Sequence, residues 1–300
     1  MTAGLAQRIA AGIAVLVPPP VRDLARSLAE TSDAIAVLFY GSNLRSGSLD
    51  GVLDFYVLLP GPPERVLWPR VSFHEFSADG VPLRAKVATM TLAKFAQAAS
   101  GRLLDTTIWA RFVQPSALAW ARDLAAEREV VAALSAATIT AARLAAVLGP
   151  DRGVEADYWA ALFRATYRAE LRVERGGREA TILDANRAHF DGLLPLAWAE
   201  AGIACEREGT MLQPLLDRAP RAALLRRWRL RQRGGKPLNL ARLLRAAFTF
   251  DGAARYAAWK IERHSGVRVP LTPWRERHPI IAAPAILWTF WRSCQRANRG

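Results

Sequence analysis

The sequence predicts an α+β fold in three parts: a strand-rich first part over residues 1–115, a mostly helical second part over 116–215, and a basic, tryptophan-rich tail over 216–300. Three observations predict it. Short apolar runs rich in β-formers, separated by Gly, Pro and Ser clusters, fill residues 34–90. From about Leu92 the pattern becomes alanine-rich, with apolar residues recurring at the helical period. Between Arg218 and Arg245, ten basic residues occur without one acidic residue.

The elements follow in order. Residues 9–17 read as an amphipathic helix, closed by Pro18-Pro19-Pro20, and a second helix is expected over 21–30. Residues 34–40 form a short β-rich run, followed by a Gly/Ser-rich stretch over 41–51. A second run over 52–59 ends at Pro60-Gly61-Pro62-Pro63. Strands over 71–76 and 83–89 flank a turn at Asp79-Gly80. Helical periodicity is carried by 117–148 and 155–166. A hairpin is expected from 170–174 and 179–183, with Gly176-Gly177 between them suited to a tight primed turn. Helices followed by a hairpin are the parts of a winged helix. Residues 185–202 read as helical again.

Composition narrows the function. The chain has 300 residues and 51% apolar content, enough for a sizeable core. It carries 41 basic and 27 acidic residues, a formal charge of +14. The excess is arginine, since Lys86, Lys94, Lys236 and Lys260 are the only lysines. Such a chain seeks polyanions: phosphate-bearing ligands, nucleic acid or anionic lipid. The two cysteines, Cys205 and Cys294, and the four histidines have no metal-ligand spacing, so a zinc site is not expected and a reducing compartment is. No stretch approaches the roughly 20 apolar residues of a membrane-spanning helix.

The sharpest motif is Phe39-Tyr40-Gly41-Ser42-Asn43 followed by Leu53-Asp54-Phe55-Tyr56. A strand ends in Gly-Ser, a loop follows, and the next strand carries an aspartate among apolar neighbours. This pattern points to a polymerase-β-like nucleotidyltransferase domain. Gly41 has no Cβ, so its backbone can approach a triphosphate. The Ser42 hydroxyl and nearby N–H groups, Asn43 included, can donate to phosphate oxygens. Asp54 is the candidate Mg²⁺ ligand, and Mg²⁺ the expected cofactor. The general pattern has a second carboxylate two residues later, where this chain has Tyr56. Asp50 and Glu75 are weaker candidates for that ligand.

The ordered motifs resemble the mitochondrial-type phosphatidate cytidylyltransferases, the translocator assembly and maintenance family. Tyr40-Gly41-Ser42 and Leu53-Asp54-Phe55 are similar to its Tyr-Gly-Ser and apolar-Asp-Phe segments, and that family has one acid on the strand. Lys86 falls at the lysine of its next strand, and Ser100-Gly101-Arg102-Leu103 at its Ala-Gly-Arg-Leu motif. Residues 166–172 and Asn186-Arg187-Ala188-His189-Phe190 resemble two later segments. Asn43 stands where the family has a second glycine. The resemblance implies CTP and phosphatidic acid as substrates and CDP-diacylglycerol and pyrophosphate as products. It implies Lys86 as a charge stabilising the triphosphate, and Arg102 as a phosphate contact.

The tail fits such a substrate. Arg226, Arg227, Arg229, Arg231 and Arg233 are expected to face an anionic membrane surface, with tryptophans behind them. That implies a cytoplasmic protein attached peripherally to the inner face of a bacterial membrane. Nucleic acid is not the expected partner. Two other readings stay open: a nucleotidyltransferase acting on nucleic acid or a small hydroxyl acceptor, and a non-catalytic lipid-binding protein.

Overall fold

The computed structural model describes residues 4–65, 68–78, 80–170, 178–265 and 272–274. Strands β1 (Ala36–Tyr40), β2 (Leu53–Leu59), β3 (Arg70–Ala78), β4 (Val81–Thr91) and β5 (Ser116–Ala121) form one mixed sheet, in the order β3-β4-β2-β1-β5. Only the β2–β4 pair is parallel; its neighbours run antiparallel. β1 and β2 are central and nearly continuous in apolar residues, because both faces of the sheet are covered.

One face carries Val37, Phe39, Leu53, Phe55, Val57, Leu83 and Val87, which pack with Val21, Leu24 and Leu28 of helix α2 (Pro19–Ser32). The other carries Leu38, Tyr56, Leu58, Ala88 and Met90. It packs under α1 (Leu5–Ile13), α4 (Leu92–Ala99), α5 (Thr107–Phe112) and α6 (Leu124–Leu148). The same buried cluster continues through α7 (Glu155–Ala169) and α10 (Leu193–Glu200) as far as Trp228. The α+β class and the four expected strands between residues 34 and 90 are therefore present.

Local chemistry explains the helix bounds. Thr91 caps α4 by accepting from the Lys94 amide at 3.2 Å, and Asp123 caps α6 from the Ala126 amide at 2.8 Å. The first helix ends at Ile13, short of the expected residue 17. Pro18 precedes α2, and Pro19 and Pro20 open its first turn, where a missing N–H leaves no intrahelical bond unmade.

Three expectations are corrected. Residues 117–121 are strand, not helix: β5 pairs with β1 and supplies the sheet edge. Its Ser-Ala-Leu-Ala-Trp-Ala run alternates weakly, and alanine suits either period. Residues 179–183, expected as the second strand of a hairpin, lie in helix α8 (Arg178–Ala185), while 171–177 fall outside the described residues. The hairpin that does exist is later: β6 (Ala204–Glu208) and β7 (Met211–Leu215), turning at Gly209-Thr210. Its largely exposed, charged first strand hid the period-2 signal. The third concerns α6, whose Leu124–Leu148 span is long enough to cross a membrane, with mean hydropathy 1.8 over its most apolar 18-residue window. It is a core helix here, with 72% of that window buried.

The short helix α9 (Arg187–Phe190) places Phe190 in the core. The His189 ring lies 2.9 Å from the Val113 carbonyl, and burial pulls its pKa below the usual histidine value. Asn186 is buried and donates to the Ile182 carbonyl at 2.7 Å. These two residues of the resemblance segment brace the fold.

Helix α11 (Arg218–Thr249) is docked along the protein through its arginines. Buried Arg231 donates to the carbonyls of Gly101 and Leu103. Arg242 pairs with buried Asp105 and lies 4.3 Å over the Trp68 ring. A Cβ on Gly235 would stand 2.5 Å from the Ala169 carbonyl oxygen, so the Gly234-Gly235 pair lets α11 meet the end of α7. The expectation that Arg231 faces a lipid surface is thus overturned: its side chain satisfies a buried turn. Arg226, Arg227, Arg229 and Arg233 are exposed. Helix α12 (Ala253–Ser265) then folds back against β3.

Candidate active site

The sheet register places one row of side chains on a single face. Tyr40, Asp54, Lys86 and Phe73 are successive Cα partners across β1, β2, β4 and β3. In-register neighbours on adjacent strands point the same way. Asp54 and Lys86 therefore stand side by side, both half-buried.

Gly41 follows β1 at φ +93, a conformation that an L side chain rarely adopts. A Cβ there would lie 3.2 Å from Asp54 Oδ2. The glycine thus lays backbone against the carboxylate and leaves a cradle that any larger residue would fill. Ser42 opens the short helix α3 (Ser42–Ser46) and is exposed, its hydroxyl donating to Asn43 Oδ1 over a long 3.4 Å. The Asn43 side chain serves the loop. It is buried, and its amide donates to the carbonyls of Ser48 at 2.9 Å and Asp50 at 2.7 Å. It closes the loop rather than offering that amide to a phosphate.

Burial raises the Asp54 carboxyl above its usual pKa, against the lowering effects of Lys86 and Arg111. Burial likewise lowers the Lys86 ammonium, opposed by Asp54 and reinforced by Arg111 and Lys260. The Asp54 carboxylate thus sits within electrostatic reach of two cations, Lys86 and Arg111. Such a cleft favours an anion carrying more than one charge.

Arg111 and Tyr56 are the site residues that motif reading missed. Arg111 donates to the Tyr56 hydroxyl at 2.9 Å, and its guanidinium lies 5.4 Å from the Tyr40 ring centre and 5.8 Å from that of Tyr56. Tyr40, Tyr56, Phe95 and Phe112 pack ring against ring beneath it, at 4.9 to 6.2 Å between centres. The position of the second acid is therefore a buried phenol holding a cation. A signal existed: Arg111 is the one charge within the apolar stretch Ile108-Trp109-Ala110-Arg111-Phe112-Val113. Glu170, from the resemblance segment, is buried, accepts from the Thr106 hydroxyl and acts on Arg111 through its charge.

Other candidates are elsewhere. Arg102 is exposed in the turn after α4 and makes no hydrogen bond or ion pair among the described residues. The Glu75 carboxylate lies 3.5 Å from Arg84. Among the described residues no group of three or more His, Cys, Asp or Glu side chains could hold a metal ion. The donors at the Gly41 cradle fit a hard cation that takes one carboxylate and completes its shell with phosphate oxygens and water, as Mg²⁺ does. Comparison with known proteins returns no matching family model and no matching curated sequence.

Proposed function

We propose that this chain is a magnesium-dependent nucleotidyltransferase of polymerase-β-like build, a phosphatidate cytidylyltransferase that makes CDP-diacylglycerol from CTP and phosphatidic acid. The observation that carries the reading is the Gly41 cradle set against Asp54, with Lys86 in register beside it. The ordered sequence motifs support the choice of substrate.

In this reading Asp54 would hold Mg²⁺, which supplies charge compensation for the triphosphate. Gly41 and Ser42 bind phosphate oxygens through backbone and hydroxyl donors. Lys86 and Arg111 offset the charge that develops as the pyrophosphate leaves. A phosphoryl oxygen of phosphatidate attacks the α-phosphorus of CTP, and the bond from that phosphorus to the bridging oxygen breaks. The attacking oxygen is already anionic near neutral pH, so positioning and charge dominate over general-base help.

A lipid substrate needs a surface contact. The exposed Arg226, Arg227, Arg229 and Arg233 share α11 with exposed Leu230, Leu240 and Leu244. Cations with apolar residues between them suit peripheral attachment to the anionic inner face of a cytoplasmic membrane.

The test is pyrophosphate release from CTP and Mg²⁺, with and without phosphatidic acid vesicles. Wild type should release pyrophosphate only with the lipid, and Asp54→Ala should lower the rate by roughly 10³-fold or more. The vesicle contact should weaken with salt. No release from any nucleotide, with vesicle binding intact, would leave a lipid-binding protein. Lipid-independent release with salt-sensitive RNA binding would assign a nucleic-acid acceptor.

A further inference from the structure

The basic tail was expected to attach to a membrane surface, and its helix α12 lies over the sheet face that carries Asp54 and Lys86. The chain leaves α11 and adds a short parallel bridge to the sheet edge, Ser72 with Asp251. The Phe73 amide donates to the Asp251 carbonyl at 2.8 Å. A Cβ on Gly252 would stand 2.6 Å from the Phe73 carbonyl oxygen, so the backbone turns tightly onto β3. The next turn of helix sets the Tyr256 ring 5.4 Å from the Phe73 ring, and Phe73 is the Cα partner of Lys86.

Two further contacts, at Arg84 and at Gly51, fix the helix there. The Arg84 guanidinium lies 5.6 Å from the Trp259 ring centre, and that of Arg263 5.3 Å from the same ring. Arg263 reaches the loop after the Gly41 cradle: a Cβ on Gly51 would stand 3.2 Å from its Nη1. Lys260 rests 6.0 Å from the Tyr256 ring centre, exposed, and has no ion pair among the described residues. α12 thus bridges the edge strand and the cradle loop.

We propose that α12 is a wall of the active site and that Lys260 is a phosphate-binding residue, reaching the anionic ligand from the β3 edge of the sheet. The inference rests on the nucleotidyltransferase reading. Lys260 follows Tyr256 by four residues and so shares the helix face that meets Phe73, the register partner of Lys86. Cations gathered about one carboxylate leave a positive excess that a phosphoryl group neutralises. Two sources share that chemistry: the polyphosphate of the nucleotide and the phosphomonoester of the acceptor.

The experiment is calorimetric titration of the full chain, without membranes, with Mg·CTP and separately with soluble dihexanoyl phosphatidate. Variants are Lys260→Ala, Lys260→Arg and, as a remote control, Arg128→Ala on the exposed side of α6. Because Lys260 and Arg128 are exposed, all should melt with wild type. Lys260→Ala should weaken one ligand by roughly ten-fold, with Lys260→Arg retaining most of the affinity and Arg128→Ala all of it. Loss toward Mg·CTP assigns the residue to the polyphosphate; loss toward dihexanoyl phosphatidate alone assigns it to the acceptor. Unchanged affinity for both, with Asp54→Ala still weakening Mg·CTP, overturns the role of Lys260 and leaves the reaction standing. No binding of either ligand by wild type overturns both.

Discussion

Helices α11 and α12 are both basic, yet their cations have different partners. In α11, Arg231 and Arg242 reach inward to acceptors of the protein itself, two carbonyls and a carboxylate. In α12, Lys260 is exposed, has no ion pair among the described residues and lies on the side of Lys86, which with Arg111 acts on Asp54. A buried cation that owns an acceptor holds the fold together. Cations that outnumber their acceptors hold room for a ligand. Net charge alone does not separate these uses.

The sharpest way to break this contrast is at Arg242. Arg242→Ala leaves Asp105 buried without its cation, and should cost about 3 kcal/mol of stability by urea denaturation. Removing both, as Asp105→Ala with Arg242→Ala, should cost less than the two single changes summed. A loss below about 1 kcal/mol for Arg242→Ala would show that the pair does not anchor α11.

Arg231 and Arg229 make a closer comparison, two positions apart on one helix. Arg231→Ala strands the carbonyls of Gly101 and Leu103 and should cost about 2 kcal/mol. Arg229→Ala, on the exposed side, should stay within about 0.5 kcal/mol. Equal effects on thermal melting would erase the distinction between the two faces.

At the site itself the expected effect has the opposite sign. Burial raises the folded-state pKa of Asp54 above 3.8. Below that value both states hold the proton, and the carboxyl costs nothing. As pH rises through the folded value, the unfolded chain has already released its proton, so the folded state loses stability. Asp54→Asn should therefore match wild type in acid and gain on it toward neutral pH in metal-free buffer, read by urea denaturation across that range. A variant less stable than wild type at neutral pH would mean that Asp54 is a structural ion-pair partner of Lys86.

Much of the site is legible in local sequence. Gly41, Ser42 and Asp54 fall within the span of two adjacent strands, where spacing and alternation suffice. Lys86 stands out as one of four lysines. Arg111 was open to reading as a lone charge in an apolar helix. Asn43 was not, since nothing local says that its amide turns to the carbonyls of Ser48 and Asp50. The strand over 116–121 was hidden by alanine, which carries little period and takes its state from the β1 edge it pairs with.

The sequence by itself determined the α+β class, the four strands between residues 34 and 90, the Gly-Ser turn and the strand aspartate. Each depends on residues near one another in the chain. Only the tertiary structure decided which arginines are buried, that Tyr56 carries a cation where an acid was expected, and that the tail returns to Phe73. Those outcomes depend on pairings such as Arg231 with Gly101 and Asp251 with Phe73. The energy of such a pairing is set by what packing removes from water, and one-dimensional patterning does not record it.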